Sequence, residues 1–119
     1  MIDSNKVIEF IVEGLQEKKA KNIVVADMTE IEDAAFKYFV ICEGNSTTQV
    51  NTIGESVIDF LRKNANIKPF GYDGFQNCQW IAVDYGDILV HVFLPETRQF
   101  YNIEQLWADA KLTQIEDLD

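Results

Sequence analysis

The sequence predicts an α/β protein, a mixed sheet of about five strands with helices mainly on one face. Three observations carry that expectation. Apolar residues recur at helical spacing near the N-terminus and again between residues 47 and 64, as amphipathic helices require. Between them lie runs too continuously apolar to have a wet face, Ile23-Val24-Val25-Ala26 and Tyr38-Phe39-Val40-Ile41-Cys42. Residues 80–93 form two further runs rich in β-branched side chains, parted by Asp84-Tyr85-Gly86-Asp87, which is the signature of a β-hairpin.

Taken in order, Asp3 or Ser4 caps a first helix whose buried stripe is Val7, Ile8, Ile11, Val12 and Leu15. Lys18, Lys19 and Lys21 crowd its end, where cations suit the helix dipole, and Gly14 weakens it slightly. The strand 23–26 follows, and residues 29–33 read as an acidic, solvated connector. The strand over 36–42 is apolar on both faces and is expected near the centre of the sheet. Gly44-Asn45-Ser46 then opens a long helix reaching about Asn64, with Ser46 as N-cap and Val50, Ile53, Val57, Ile58, Phe60 and Leu61 facing the core. Such a turn exposes backbone N–H groups to which an anion can bind, although any strand-to-helix turn needs a small residue and a cap. From 66 to 79, Pro69, Gly71 and Gly74 break the pattern into a loop with one short edge strand, placed to rim a site. Pro95 stops the last hairpin strand, and 97–101 fits a single helical turn. Asn102 is placed to cap a final helix with Ile103, Leu106, Trp107 and Ala110 on one face, and the acidic tail over 112–119 is expected to fray.

The hairpin holds the most chemistry. With Tyr85-Gly86 as its loop and Gly86 supplying positive φ, Asp84 faces Asp87, Ala82 faces Leu89 and Trp80 faces His91. Alternation puts Ile81, Val83, Ile88, Val90 and Val92 on one apolar face. The other face carries Trp80, Ala82, Asp84, Asp87, Leu89, Phe93 and the chain's single histidine, His91. A solvated sheet face ordinarily carries Thr, Lys and Glu, so this mixture points to contact with another molecule. The plainer alternative sets Trp80 and Phe93 under a helix and leaves the carboxylates to dress the turn.

Composition narrows the function. A chain of 119 residues, 47% hydrophobic and 25% charged, fits one domain over 1–119 with a real core. Its formal charge of -10 and pI near 4.4 repel a phosphate backbone, which argues against dominant direct nucleic-acid binding. A basic protein partner would instead be steered in. Cys42 and Cys78 have neither metal-ligand nor redox spacing, and the N-terminus shows no signal-peptide pattern. Reduced thiols in a cytoplasmic protein are the expectation. No apolar run is long enough to span a membrane.

The run Trp80-Ile81-Ala82-Val83-Asp84-Tyr85-Gly86-Asp87-Ile88-Leu89-Val90-His91-Val92-Phe93 is continued by Arg98, Phe100-Tyr101 and Glu104-Gln105-Leu106-Trp107-Ala108-Asp109-Ala110. Together they resemble the ribosomal silencing factor family, also called the RsfS, YbeB or Iojap family. Tyr38-Phe39-Val40-Ile41-Cys42-Glu43-Gly44-Asn45-Ser46-Thr47 with Gln49-Val50 is similar to that family's first signature. The resemblance runs from residue 5 to residue 111. It departs at Lys37, where the family more often has Asp, and at Asp73-Gly74, where Glu-Gly is usual.

The resemblance implies a nucleotidyltransferase-like fold without nucleotidyltransferase activity, needing no cofactor and no metal. It implies a translational repressor that docks on a large-subunit ribosomal protein, number fourteen of that subunit, and sterically blocks joining of the small subunit. It further implies a homodimer when free. The partner-binding residues would be Trp80, Asp84, Tyr85, Asp87, Leu89, His91, Phe93, Arg98 and Tyr101. Trp80 would be a hydrophobic anchor, and Asp84 and Asp87 would pair with Arg or Lys of the partner. His91 would fix the indole or donate a hydrogen bond, while Arg98 and Tyr101 extend the patch past Pro95. The residues agree with an inactive fold. Nucleotidyl transfer needs a Gly-Ser turn followed by spaced carboxylates that hold two metal ions. Gly44-Asn45-Ser46 is at best a remnant of that turn, and no Asp-x-Asp follows it. Asp84 and Asp87 could bind one cation weakly but do not make a two-metal site. Two alternatives come from other classes. One is a small acid–base enzyme with His91 between Asp84 and Asp87, though no nucleophile accompanies it. The other is a dimeric scaffold whose open face serves self-association.

Overall fold

Capping and apolar signals set where each element begins and ends. A computed structural model of the chain describes residues 3–106 and 109–118. The Asp3 side chain accepts the Lys6 backbone N–H at 3.0 Å, satisfying a donor that every helix start leaves open. Helix α1 (Ser4–Gln16) follows. Lys19, at φ 61°, turns the chain into β1 (Lys21–Asp27), and β2 (Tyr38–Glu43) pairs with it antiparallel. Ser46 caps α2 (Thr47–Ala65), its Oγ accepting the Gln49 N–H at 3.1 Å. Asn66 ends that helix in the left-handed conformation, φ 55°, that asparagine tolerates. The strands β3 (Gly71–Asp73), β4 (Trp80–Asp84) and β5 (Ile88–Phe93) come next. Pro95 then stands in the first turn of α3 (Pro95–Tyr101), where its missing N–H is no loss. A short α4 (Ile103–Leu106) and β6 (Lys111–Ile115) complete the order.

The sheet runs β3-β4-β5-β2-β1-β6. Only β2 and β5 pair in parallel; the remaining neighbours are antiparallel. As its apolar composition requires, β2 lies inside the sheet, with Val40, Ile41 and Cys42 fully buried. Helices α1 and α2 cover one face, where Ile11, Leu15, Val50, Ile53, Val57 and Leu61 meet Val40, Ile81, Val83, Val90 and Val92. Gly14 has a purpose that its helix propensity hides. A Cβ there would lie 3.1 Å from the Val57 Cα and the Phe60 Cβ, so glycine lets the two helices cross closely, and Ser56 Oγ donates to the Gly14 carbonyl at 2.8 Å. On the opposite face Ala26, Met28, Phe39, Ile41, Phe93 and Ile103 form a second, smaller cluster.

The fold corrects four expectations. The tail does not fray over 111–115: it forms a sixth strand, from Asp27↔Lys111 to Ile23↔Ile115 along β1. Lys111 pairs with Glu30, and the Asp117 carboxylate accepts the Asn22 N–H at 2.9 Å. An open β1 edge needs partners for its backbone groups, a demand that the tail's acidic composition conceals. The hairpin loop is Gly86-Asp87 rather than Tyr85-Gly86, because the Tyr85 N–H donates to the Ile88 carbonyl at 2.9 Å. Gly86, at φ 89°, then opens the loop, where a tight turn of this kind places glycine. The true partners are Trp80↔Phe93, Ala82↔His91 and Asp84↔Leu89; a shift of two residues leaves every strand side chain on its expected face. Asn102, at φ 46°, ends α3 in the left-handed conformation, and α4 spans a single turn of the described residues. Trp107 and Ala108, assigned to that helix, lie outside the described residues. The 29–33 connector keeps its carboxylates in water, but its Ile31 packs on the second cluster with Ala34 and Phe36.

Candidate functional site

Among the described residues the second face of the sheet is only partly covered, and Trp80 sits where that cover ends. Its half-buried indole stacks on the fully buried Phe93, with ring centroids 4.9 Å apart and planes 27° apart. Tyr101 of α3 lies 4.9 Å from the indole, and Phe100 meets Tyr101 edge-on at 5.0 Å. Tyr101 is 49% exposed and Phe100 80%, so Trp80, Tyr101 and Phe100 make one aromatic surface. Leu89, Ala82, Phe36 and Ile31 continue it half-buried across the sheet. Asp84 and Asp87 mark the rim. Asp84 Oδ1 accepts the Gly86 N–H at 2.7 Å and so steadies the turn. Asp87 faces Lys37 at 3.9 Å, both well exposed, a pairing worth little in water.

His91 lies beneath this surface. The Trp80 Nε1–H donates to His91 Nδ1 at 3.0 Å, so Nδ1 carries no proton and Nε2 must carry it. Nε2 is buried with no hydrogen-bond partner among the described residues, which ordinarily costs about 1–3 kcal/mol. The ring is 4% exposed, with Phe39 edge-on at 4.7 Å and Phe93 parallel at 5.9 Å. Burial pulls its pKa from 6.5 down to about 4, because desolvation disfavours the imidazolium. The alternative of acid–base chemistry finds no support in this placement. The ring nitrogens are buried rather than open to a substrate, and the Asp84 carboxylate serves the turn.

A stability prediction follows from that histidine. Below pH 6.5 the unfolded chain takes up a proton that the folded one refuses until about pH 4. The contribution is therefore complete above pH 6.5 and is lost as pH falls towards 4. The size is on the order of 3 kcal/mol across that window. Asp27 and Asp59, held low by hydrogen bonds from Thr29 and from Lys63 and Arg62, respond only in more acid solution. Denaturant midpoints between pH 7 and 4.5 should fall steeply for the wild type and much less for His91→Gln. Equal slopes would contradict the assignment.

Two expected surface residues turn inward. Arg98 is 8% exposed and does not extend the patch. Its Nε and Nη2 donate to Glu104 at 2.9 and 3.0 Å, and its Nη1 donates to Glu43 at 3.1 Å and to the Asn22 carbonyl at 2.8 Å. Tyr85 packs against the main core on the helical face, its hydroxyl buried without a partner among the described residues and its pKa pushed up by desolvation. Alternation from Val83 predicts that direction. The donors of the Gly44-Asn45-Ser46 turn are used within the chain: the Gly44 N–H donates to the Phe93 carbonyl at 2.9 Å and the Asn45 N–H to Gln49 Oε1 at 2.7 Å. Among the described residues no three His, Cys, Asp or Glu side chains are placed to hold a metal ion.

The family described as "Ribosomal silencing factor during starvation" matches residues 1–119. The chain belongs to the ribosomal silencing factor family. The ribosomal silencing factor RsfS of Bacillus subtilis is 35% identical over 97% of this chain and 96% of that relative. A crystal structure of a Chromobacterium violaceum protein superposes with a TM-score of 0.84 at 32% identity, covering 90% of this chain and 88% of that one. The mouse protein called mitochondrial assembly of ribosomal large subunit protein 1 is 31% identical over 91% of this chain, which spans 50% of its length.

Within this silencing factor chain, the departure at Lys37 falls on the rim, beside Asp87. Phe100, the connector's Ile31, and Ala34 and Phe36 beyond it belong to the face although no sequence argument placed them there. The signal was available. Ile31 is a large apolar residue inside the stretch 29–33 that otherwise reads as solvated, and Phe36 opens the run expected as a strand.

Proposed function

We propose that this chain is a translational repressor that docks, through the Trp80 face, on a basic protein of the large ribosomal subunit. Number fourteen of that subunit's proteins is the partner the signature implies. The observation that carries the reading is a fixed, half-buried tryptophan joined to exposed aromatics in one surface, rimmed by carboxylates, in a chain of charge -10. Buried aromatic anchors dominate interface energetics, and the acidic rim suits a basic partner while disfavouring bare RNA. Membership in the silencing factor family and the large-subunit name of the mouse relative support the same direction. The action is steric and takes place in the cytoplasm: the bound chain occupies a face that the small subunit needs, and no reaction is catalysed. When free, the same surface is open to a second copy, so docking on the subunit and dimerisation compete for it. No helix among the described residues is long and apolar enough to cross a membrane.

A steric blocker acts stoichiometrically, because each copy occludes one subunit and nothing turns over. Inhibition of subunit joining should saturate near one chain per large subunit, survive metal chelation and need no nucleotide. With large subunits in about tenfold excess over the chain, joining should be inhibited by roughly a tenth. Complete inhibition under that shortage would mean turnover and would overturn the steric reading.

A further inference from the structure

We propose that His91 is a positioning residue, whose Nδ1 holds the Trp80 indole in the single orientation that offers a purely apolar surface to the partner. The inference rests on the reading of the Trp80 face as the docking surface. The hydrogen bond runs diagonally across the β4–β5 pair, since Trp80 lies opposite Phe93 and His91 lies opposite Ala82. The imidazole cannot swing away from it. Phe39 stands edge-on to one part of the ring, Phe93 lies parallel to it, and the side chain is 4% exposed. The indole is held in turn by the Phe93 stack beneath it and by Tyr101 beside it.

Two consequences follow. The Nε1–H is the only hydrogen-bonding group of an indole, and here it is satisfied within the chain. The partner therefore meets Trp80 with apolar groups and supplies no acceptor to it; its cationic groups meet the rim. In addition, a polar ring stands at position 91 in a place whose surroundings suit an aliphatic residue better. Among the described residues its Nε2 is an orphan, and the ring atom with a polar partner is the one that meets Trp80. An anchor already fixed in its bound rotamer loses little side-chain freedom on docking.

The test combines a spectroscopic signature with binding. In the full chain labelled with 15N, the Trp80 indole N–H is assigned by its absence in Trp80→Phe, which leaves the signal of Trp107. It should exchange slowly with deuterium in the wild type and rapidly in His91→Leu. Binding of His91→Leu to purified large subunits should weaken about threefold to tenfold. His91→Asn, which offers an acceptor oxygen near the place of Nδ1, should restore most of both. Should His91→Leu fail to fold, His91→Met is judged by the same criteria. Rapid indole exchange in the wild type would overturn the proposal. So would a folded His91→Leu chain that has lost the slow exchange yet binds as tightly as the wild type, and that result would leave the docking face standing. A wild type with slow exchange and no binding to large subunits would overturn both.

Discussion

Arg98→Met is expected to lower stability by about 3 kcal/mol and the thermal midpoint by roughly 10 °C. The guanidinium joins four parts of the chain: its own helix α3, Glu104 of α4, Glu43 at the end of β2, and the Asn22 carbonyl of β1. Asn22 itself, at φ 52°, donates from Nδ2 to Glu43 at 3.0 Å and from its backbone to Asp117. Removing the cation leaves two mostly buried carboxylates without their counter-ion, Glu43 keeping only the donor from Asn22 Nδ2. That loss exceeds anything the pair contributes as an attraction, because the remaining charges stay desolvated. Adding Glu43→Gln to Arg98→Met should recover part of it by removing one of those charges. Thermal unfolding followed by circular dichroism measures both. A midpoint within about 2 °C of the wild type would mean that water reaches the carboxylates and that the network does not hold α3 in place.

Trp80→Ala is expected to weaken binding to the large subunit by about 2 kcal/mol or more, roughly thirtyfold. The substitution removes the centre of the aromatic surface and uncovers Phe93, so some stability will be lost with it. Tyr101→Ala provides the control. Tyr101 is half-exposed on α3 beside the indole, so its loss should reduce affinity while leaving the unfolding midpoint nearly unchanged. Affinity and unfolding have to be measured on the same preparations. A folded Trp80→Ala chain with wild-type affinity would assign Trp80 to the core, as the plainer alternative for this face has it.

The fold was legible where burial and period coincide. Alternation assigns the side chains of Trp80–Asp84 and Ile88–Phe93 to their correct faces even though the expected register is displaced by two residues, because such a shift preserves parity. The central place of β2 follows from apolar residues on both of its sides. What stayed hidden depends on partners distant in sequence. Lys111–Ile115 is exposed along most of its length and becomes a strand only because β1 offers an edge. Arg98 looks like a surface cation until Glu43, Glu104 and Asn22 are seen to converge on it. His91 was noticed as a singular residue, yet its burial is the work of Phe39, whose ring arrives from a strand far away in the sequence. Tyr85 was expected in the loop and on the docking surface, although the period that places Val83 on the helical face places it there too once the loop is Gly86-Asp87.

The claim that most needs testing is that this acidic chain docks on the large subunit. Sedimentation through sucrose gradients with separated ribosomal subunits tests it directly. The chain should travel with large subunits, saturate near one copy each, stay away from small subunits, and dissociate progressively as salt rises, since rim charges are screened within about 8–10 Å at moderate ionic strength. Equal association with both subunits, or with neither, would contradict the account.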